Sequence, residues 1–316
     1  MNFIPNLDPM DYLSPDPFVK SKFIKDLGDT FSNIGFACVK NHFTPEDEIK
    51  KFYNSVEAFF KLPLENKANY EISGLGGQRG YTSFGREHAK GSDTPDLKEF
   101  WQIGQEIQGE YVSKERYPYN VQVSEIPDFN RQSMILYRGF EKSGSILLKA
   151  IASYLGLDEN YFEPFIKNGN SILRAIHYPP ITQEPKNAIR AEAHEDINLI
   201  TLLVGASAEG LEVKTAEGNW LAVNAPENHF VINVGDMLQR LTNNRLKSTT
   251  HRVVNPPREK WHTSRYSIPF FLHPVSEMDL TCLPSCIEDG SSPHYAPISA
   301  GDYLTERLVE IGLVKK

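Results

Sequence analysis

The chain has 316 residues, 40% of them hydrophobic and 11% aromatic, and a formal charge of −8. That much apolar material excludes a disordered chain and suffices for one large core or two lobes. The acidic balance, with no run of lysines and arginines, argues against nucleic acid as a partner.

The opening "MNFIPNLDPMDYL" is acidic and proline-broken, unlike a signal peptide. Next, "GFACVKN" (Gly35–Asn41) reads as a strand. "HFTPEDEIKKFYNSVEAFFKLP" reads as a helix with Thr44 as N-cap, Pro45 at the first helical position and Asp47 closing a capping box. Ile49, Phe52, Tyr53, Val56 and Phe60 give it one apolar face. "DFNRQSMILYRGFEKSGSILLKAIASYLGL" is a long helical pattern stopped near Gly156. Its most apolar part is too short for a membrane span and is interrupted by Lys149.

From about Ser171 the texture changes to short segments divided by turn residues: "SILRAIHY", "INLITLLV", "LEVKT", "WLAVN", "HFVINV", "KSTTHRVV" and "RYSIPFFL". Strands this short, at this spacing, predict an all-β sandwich or jelly roll rather than βαβ units. "AGDYLTERLVEIGL" closes the chain as a helix packing through Leu304, Leu308 and Ile311. The expected organisation is an N-terminal mixed α/β region (1–165), a β-core (166–280) and a C-terminal extension with the closing helix (281–316). Cys38, Cys282 and Cys286 are too few for a disulfide framework; Cys282 and Cys286 could pair or bind a metal, but they read best as ordinary thiols. The expected product is a cytoplasmic protein acting on a small molecule, with no membrane partner; its oligomeric state is left open.

In "RAEAHEDINLITLL" His194 and Asp196 are two apart, so on an extended strand they share a face. Alone, the pair is as well explained by an exposed strand end. His251, in "KSTTHRVVNPP", lies on another β-like segment, and in a jelly roll such distant strands can be neighbours. Two imidazoles and one carboxylate make the facial triad of non-haem Fe(II) oxygenases, with positions open for a co-substrate and O₂. "HEDIN" is not His-Glu-x-x-His, because Asn198 stands where the second histidine would be. Arg265 and Ser267, fourteen and sixteen residues after His251, also share a strand face, and a guanidinium with a hydroxyl is a pairing suited to a carboxylate.

With His-x-Asp, distal His and Arg-x-Ser in this order, the sequence resembles the isopenicillin N synthase-like family of Fe(II)- and 2-oxoglutarate-dependent oxygenases. "LRAIHYPP", "INVGDMLQRLTNN" and the N-terminal "IPNLDP" through "GFACVKNHFTPE" extend the resemblance over nearly the whole chain. It implies a double-stranded β-helix core, iron on His194, Asp196 and His251, and the far carboxylate of 2-oxoglutarate on Arg265 and Ser267. Tyr178 matches a tyrosine that adds a hydrogen bond to that carboxylate. Two departures stand out: Ile176-His177-Tyr178-Pro179 replaces Asn-Tyr-Tyr-Pro, and "REKWHT" lengthens the gap from His251 to Arg265.

The implied reaction is hydroxylation, desaturation or cyclisation of a small molecule with release of succinate and CO₂. Two alternatives are an oxidase of the same fold that does not consume 2-oxoglutarate and a non-catalytic β-barrel binding protein. His177 should face away from Tyr178 and be structural, and His42, His88, His229, His262, His273 and His294 have no partner at ligand spacing. "GLGGQRG" lacks the third glycine of a dinucleotide loop, since Arg79 stands there. The stretch Gly77–Gly91 gathers Arg79, Tyr81, Phe84, Arg86, His88 and Lys90. It reads either as a solvated loop or as a binding element for an anionic substrate.

Overall fold

The computed structural model describes residues 3–88, 94–107, 117–185, 187–205, 209–226, 228–311 and 313. The N-terminal part runs β1 (Asn6–Leu7), α1 (Pro17–Asn33), β2 (Phe36–Val39), α2 (Glu46–Phe60), α3 (Leu64–Ala68), β3 (Gly80–Thr82), β4 (Glu99–Gly104), α4 (Phe129–Tyr154) and α5 (Glu163–Ile166). The remainder runs β5 (Ile172–Tyr178), β6 (Ala191–His194), β7 (Ile200–Val204), β8 (Leu211–Lys214), β9 (Trp220–Ala222), β10 (Phe230–Val234), α6 (Asp236–Leu241), β11 (His251–Val253), β12 (Arg265–Leu272) and α7 (Ala300–Glu310).

An eight-stranded sheet in the order β1-β2-β10-β7-β12-β5-β4-β3 faces a four-stranded sheet in the order β6-β11-β8-β9. This is the expected jelly roll with flanking helices. Strands from either side of residue 165 share the larger sheet, since β4 pairs with β5 antiparallel (Trp101 opposite Ala175) and β2 pairs with β10.

Strand alternation divides the larger sheet into two faces. Leu173, Ala175, Ile200, Leu202, Phe230, Ile232, Ile268 and Phe270 join one buried core with α4, through residues such as Leu136, Phe140 and Leu147. Phe140 stacks on Phe230 (4.7 Å) and on Phe270 (5.4 Å). The alternate positions, Arg174, Tyr178, Thr201, Asn233, Arg265 and Ser267, turn toward the smaller sheet and line a cavity of about 440 Å³. The apolar face therefore fixes the register, and the register puts the polar residues inside the jelly roll.

The start of α2 differs from expectation. Pro45 itself is the N-cap, with no side-chain cap bond, and Thr44 is buried with its hydroxyl against Gly139. Glu46, Asp47 and Glu48 in the first turn supply the negative charge favoured there. All three cysteines are free thiols. No helix among the described residues is long and apolar enough to cross a membrane.

Candidate active site and metal centre

His194 is the last residue of β6 and lies directly opposite His251, the first of β11. Asp196 is not on the strand, as the two-residue spacing had suggested; it sits in the turn just beyond. The three side chains nevertheless converge, each offering one ligand atom within 4.8 Å of the others. Asp196 Oδ1 lies 4.0 Å from His194 Nε2 and 3.7 Å from His251 Nε2.

The residues around the triad leave these atoms ready for a cation. His194 Nδ1–H donates to the Glu192 carbonyl (2.6 Å) and His251 Nδ1–H to the Thr249 carbonyl (3.1 Å), which orientates each ring with Nε2 toward Asp196. The other carboxylate oxygen, Asp196 Oδ2, accepts from Thr201 Oγ1 (2.6 Å) and Asn233 Nδ2 (2.7 Å). Burial and the neighbouring His251 push His194 down to about 4, so it is neutral at physiological pH. Burial would raise Asp196, yet the two imidazoles and its hydrogen bonds hold it below its ordinary value. Two imidazole nitrogens and one carboxylate oxygen, all orientated, fit a divalent metal and leave several of its positions open.

The turn that carries Asp196 is fastened by the start of α6. Asp236 N–H donates to the Asp196 carbonyl (2.7 Å) and Met237 N–H to that of Ile197 (3.2 Å). Gly235 is needed because a Cβ there would collide with the Asn198 backbone. The stretch "DMLQRLTNNRLK" is thus a turn and packing element, as expected, and it grips the metal-binding loop.

Arg265 pairs across the sheet with Tyr178, and Ser267 with Ile176. Arg265 is almost fully buried, and its guanidinium lies 5.0 Å from the centre of the Tyr178 ring. Arg190, which sequence reasoning missed, brings a second buried guanidinium 6.0 Å from the same ring; it donates to the Thr263 carbonyl (3.1 Å). The additional residues between His251 and Arg265 fold as a short 3₁₀ turn (Arg258–Lys260) and leave the strand alternation intact.

His177 is structural, as expected: it bonds Glu99 (2.7 Å) and stacks on Tyr266. The 77–91 segment behaves differently from expectation. Arg79 is buried beside Gly104, Tyr81 lies in the aromatic core against Phe59, and Arg86 pairs with Glu71 (3.5 Å) at the surface. Phe84 is half exposed, and none of these four lines the cavity. Lys90 lies outside the described residues. From this segment Gln78, Glu87 and His88 do reach the cavity, joined by Asp96, Lys98, Gln102, Arg174 and Phe271. For the last group the sequence offers only strand alternation around Arg174 and Phe271, since Asp96 and Lys98 stand in the loop before β4.

Comparison with known proteins gives a consistent answer. A profile described as the 2OG-Fe(II) oxygenase superfamily matches residues 169–274, and one for the N-terminal region of non-haem dioxygenases in morphine synthesis matches 4–125. A Caulobacter crescentus structure assigned to the 2OG-Fe(II) oxygenase family is 41% identical, covering 98% of this chain and 100% of that one, with a TM-score of 0.86. A full-length Neurospora crassa protein solved with α-KG and thymine is 31% identical over 98% of this chain and 97% of its own, with a TM-score of 0.85. The proline hydroxylase buaE of Petromyces alliaceus is 32% identical over 97% of this chain and 99% of its own.

Proposed function

The chain belongs to the 2OG-Fe(II) oxygenase superfamily, and on that premise we propose that His194, Asp196 and His251 hold the Fe(II) while Arg265, Ser267 and Tyr178 hold the far carboxylate of 2-oxoglutarate. The observation that carries this reading is the convergence of two Nε2 atoms on Asp196 Oδ1 inside a cavity that Arg265 and Ser267 also line.

When bound with 2-oxoglutarate and O₂, the iron supplies the oxidising power that yields succinate and CO₂ and removes hydrogen from a C–H bond. The chain's own residues do the rest. Thr201 and Asn233 fix the Asp196 carboxylate so that Oδ1 faces the metal. Arg265 neutralises the co-substrate's carboxylate from a buried position, where a charge-assisted hydrogen bond is strong.

The substrate is a compact polar molecule, and the support is threefold. Polar and charged side chains such as Gln102 and Arg174 line the cavity, one of the similar proteins was solved with thymine, and another is named a proline hydroxylase. The test is succinate release by the iron-loaded enzyme against a panel of small cyclic amides, imides and amino acids. Substrate-stimulated succinate supports the reading. Substrate turnover with no requirement for 2-oxoglutarate would favour the oxidase that does not consume it.

A further inference from the structure

Glu87, Asp96, Lys98 and Arg174 form one ionic network on the cavity wall. Lys98 Nζ lies 2.6 Å from Glu87 and 2.8 Å from Asp96, and Arg174 Nη1 lies 3.1 Å from Glu87. Glu87, Asp96 and Lys98 are each more than nine-tenths buried. Burial would push Glu87 up, but Arg174 and Lys98 hold it down to about 2, so it is ionised. Burial would likewise lower Lys98, yet Glu87 and Asp96 hold it above its ordinary value. Two cations therefore face two anions, and the wall carries no net charge.

The network is also tied to the strand that carries His194. Asp96 Oδ1 accepts from the Glu192 backbone (2.9 Å) on the strand that carries His194, and the charges of both Glu87 and Lys98 reach His194. Arg174 donates through Nε to Gln102 (2.9 Å), and its guanidinium lies 4.2 Å from the Phe100 ring centre and 5.2 Å from that of Phe271. Its Nη2 is engaged by no described residue, which leaves a donor for a ligand in the cavity.

From this we infer that the wall is a specificity element, selecting substrates without net charge that offer Arg174 an acceptor such as a carbonyl, and that Glu87 is the residue that turns carboxylate-bearing molecules away. The inference rests on the proposed oxygenase site and names its substrate class. A carbonyl at Arg174 needs only a hydrogen bond. A carboxylate there adds an unbalanced charge beside Glu87 in a buried site, where the like-charge penalty is large.

The test uses full-length protein with Fe(II) and 2-oxoglutarate under anaerobic conditions, and matched probe pairs: thymine with uracil-5-carboxylate, nicotinamide with nicotinate, and 2-pyrrolidone with pyroglutamate. Affinities are read by calorimetry, not by turnover. The wild type is expected to bind the uncharged member of at least one pair roughly tenfold or more tighter than its carboxylate partner. Glu87→Gln, which leaves the wall with one excess positive charge, is expected to shrink or invert that ratio by strengthening the carboxylate. Arg174→Gln moves the charge the other way and is expected to widen the ratio, which keeps a test available if Glu87→Gln does not fold. A wild type that favours the carboxylates, discriminates in no pair or binds no probe overturns the inference, as does a ratio insensitive to both variants. Binding of Fe(II) and 2-oxoglutarate is measured first in the same samples. If that fails, the proposed site itself is wrong; if it succeeds and the pairs do not discriminate, only the role of the wall is lost.

Discussion

The two carboxylate oxygens of Asp196 do different work: Oδ1 faces the histidine nitrogens, and Oδ2 accepts from Thr201 and Asn233. Partners of this kind orientate a ligand and set its affinity for metal, and losing one costs about 10–100-fold. Asn233→Ala is therefore expected to weaken Fe(II) binding by about that factor with little change in thermal stability, as read by metal titration and melting. In the proposed site Arg265 is the counterpart at the co-substrate end. A hydrogen bond to a charged group is worth about 1.5–3 kcal/mol, so Arg265→Ala should weaken 2-oxoglutarate binding by roughly one to two decades. Arg265→Lys keeps the charge but loses the planar fork and should rescue only part. An unchanged 2-oxoglutarate affinity in both Arg265 variants would show that another group holds the keto acid's carboxylate. The grouping of His194, Asp196 and His251 and the shared strand face of Arg265 and Ser267 were legible because side-chain chemistry and spacing carry them. The Glu87–Lys98 pairing was not, since ion pairs formed by loops leave no periodic trace.

At the scale of the element, alternation was the reliable signal. β5, β7, β10 and β12 were read close to their observed bounds because one face of each is apolar against α4. β6 was read only as the strand beneath His194, since "AEAH" has no β-branched or aromatic residue; it is a strand through its pairing with β11. The Thr44 cap was misplaced because a capping box read from sequence cannot reveal that packing against α4 removes the threonine hydroxyl from the helix end. The tightest local requirement lies between β10 and α6. Gly235→Ala would drive a Cβ into the backbone of Asn198, whose side-chain amide donates to Thr201. It is expected to cost about 1–3 kcal/mol in urea unfolding and to loosen metal binding as well, since the displaced loop carries Asp196. A variant as stable as the wild type, with normal metal affinity, would show that the loop tolerates the shift.

Over the whole molecule, the jelly roll with flanking helices was legible from strand spacing, whereas the sharing of one sheet by strands from both ends of the chain was not. Pairing between distant segments such as β2 and β10 is decided by tertiary packing. Global stability also has a titratable contribution away from the site. Burial raises Glu141 on α4 to about 7, while Arg138 pulls it down less strongly. A folded-state value above the unfolded one means stability that is intact below about pH 4.5 and lost as pH rises through about 7. Glu141→Gln removes that loss, so relative to wild type it should be more stable at pH 8 than at pH 4 by about 1–3 kcal/mol. An equal effect of the substitution at both pH values would contradict the assignment.

The central claim is that one Fe(II) sits on His194, Asp196 and His251 and that 2-oxoglutarate binds beside it. The most direct measurement is an anaerobic titration of metal-free protein, first with Fe(II) and then with 2-oxoglutarate, for the wild type and Asp196→Ala side by side. The account predicts one Fe(II) per wild-type chain, iron-dependent binding of 2-oxoglutarate, and loss of both in a variant that melts near the wild-type temperature. Stoichiometric iron and normal 2-oxoglutarate affinity in Asp196→Ala would contradict it.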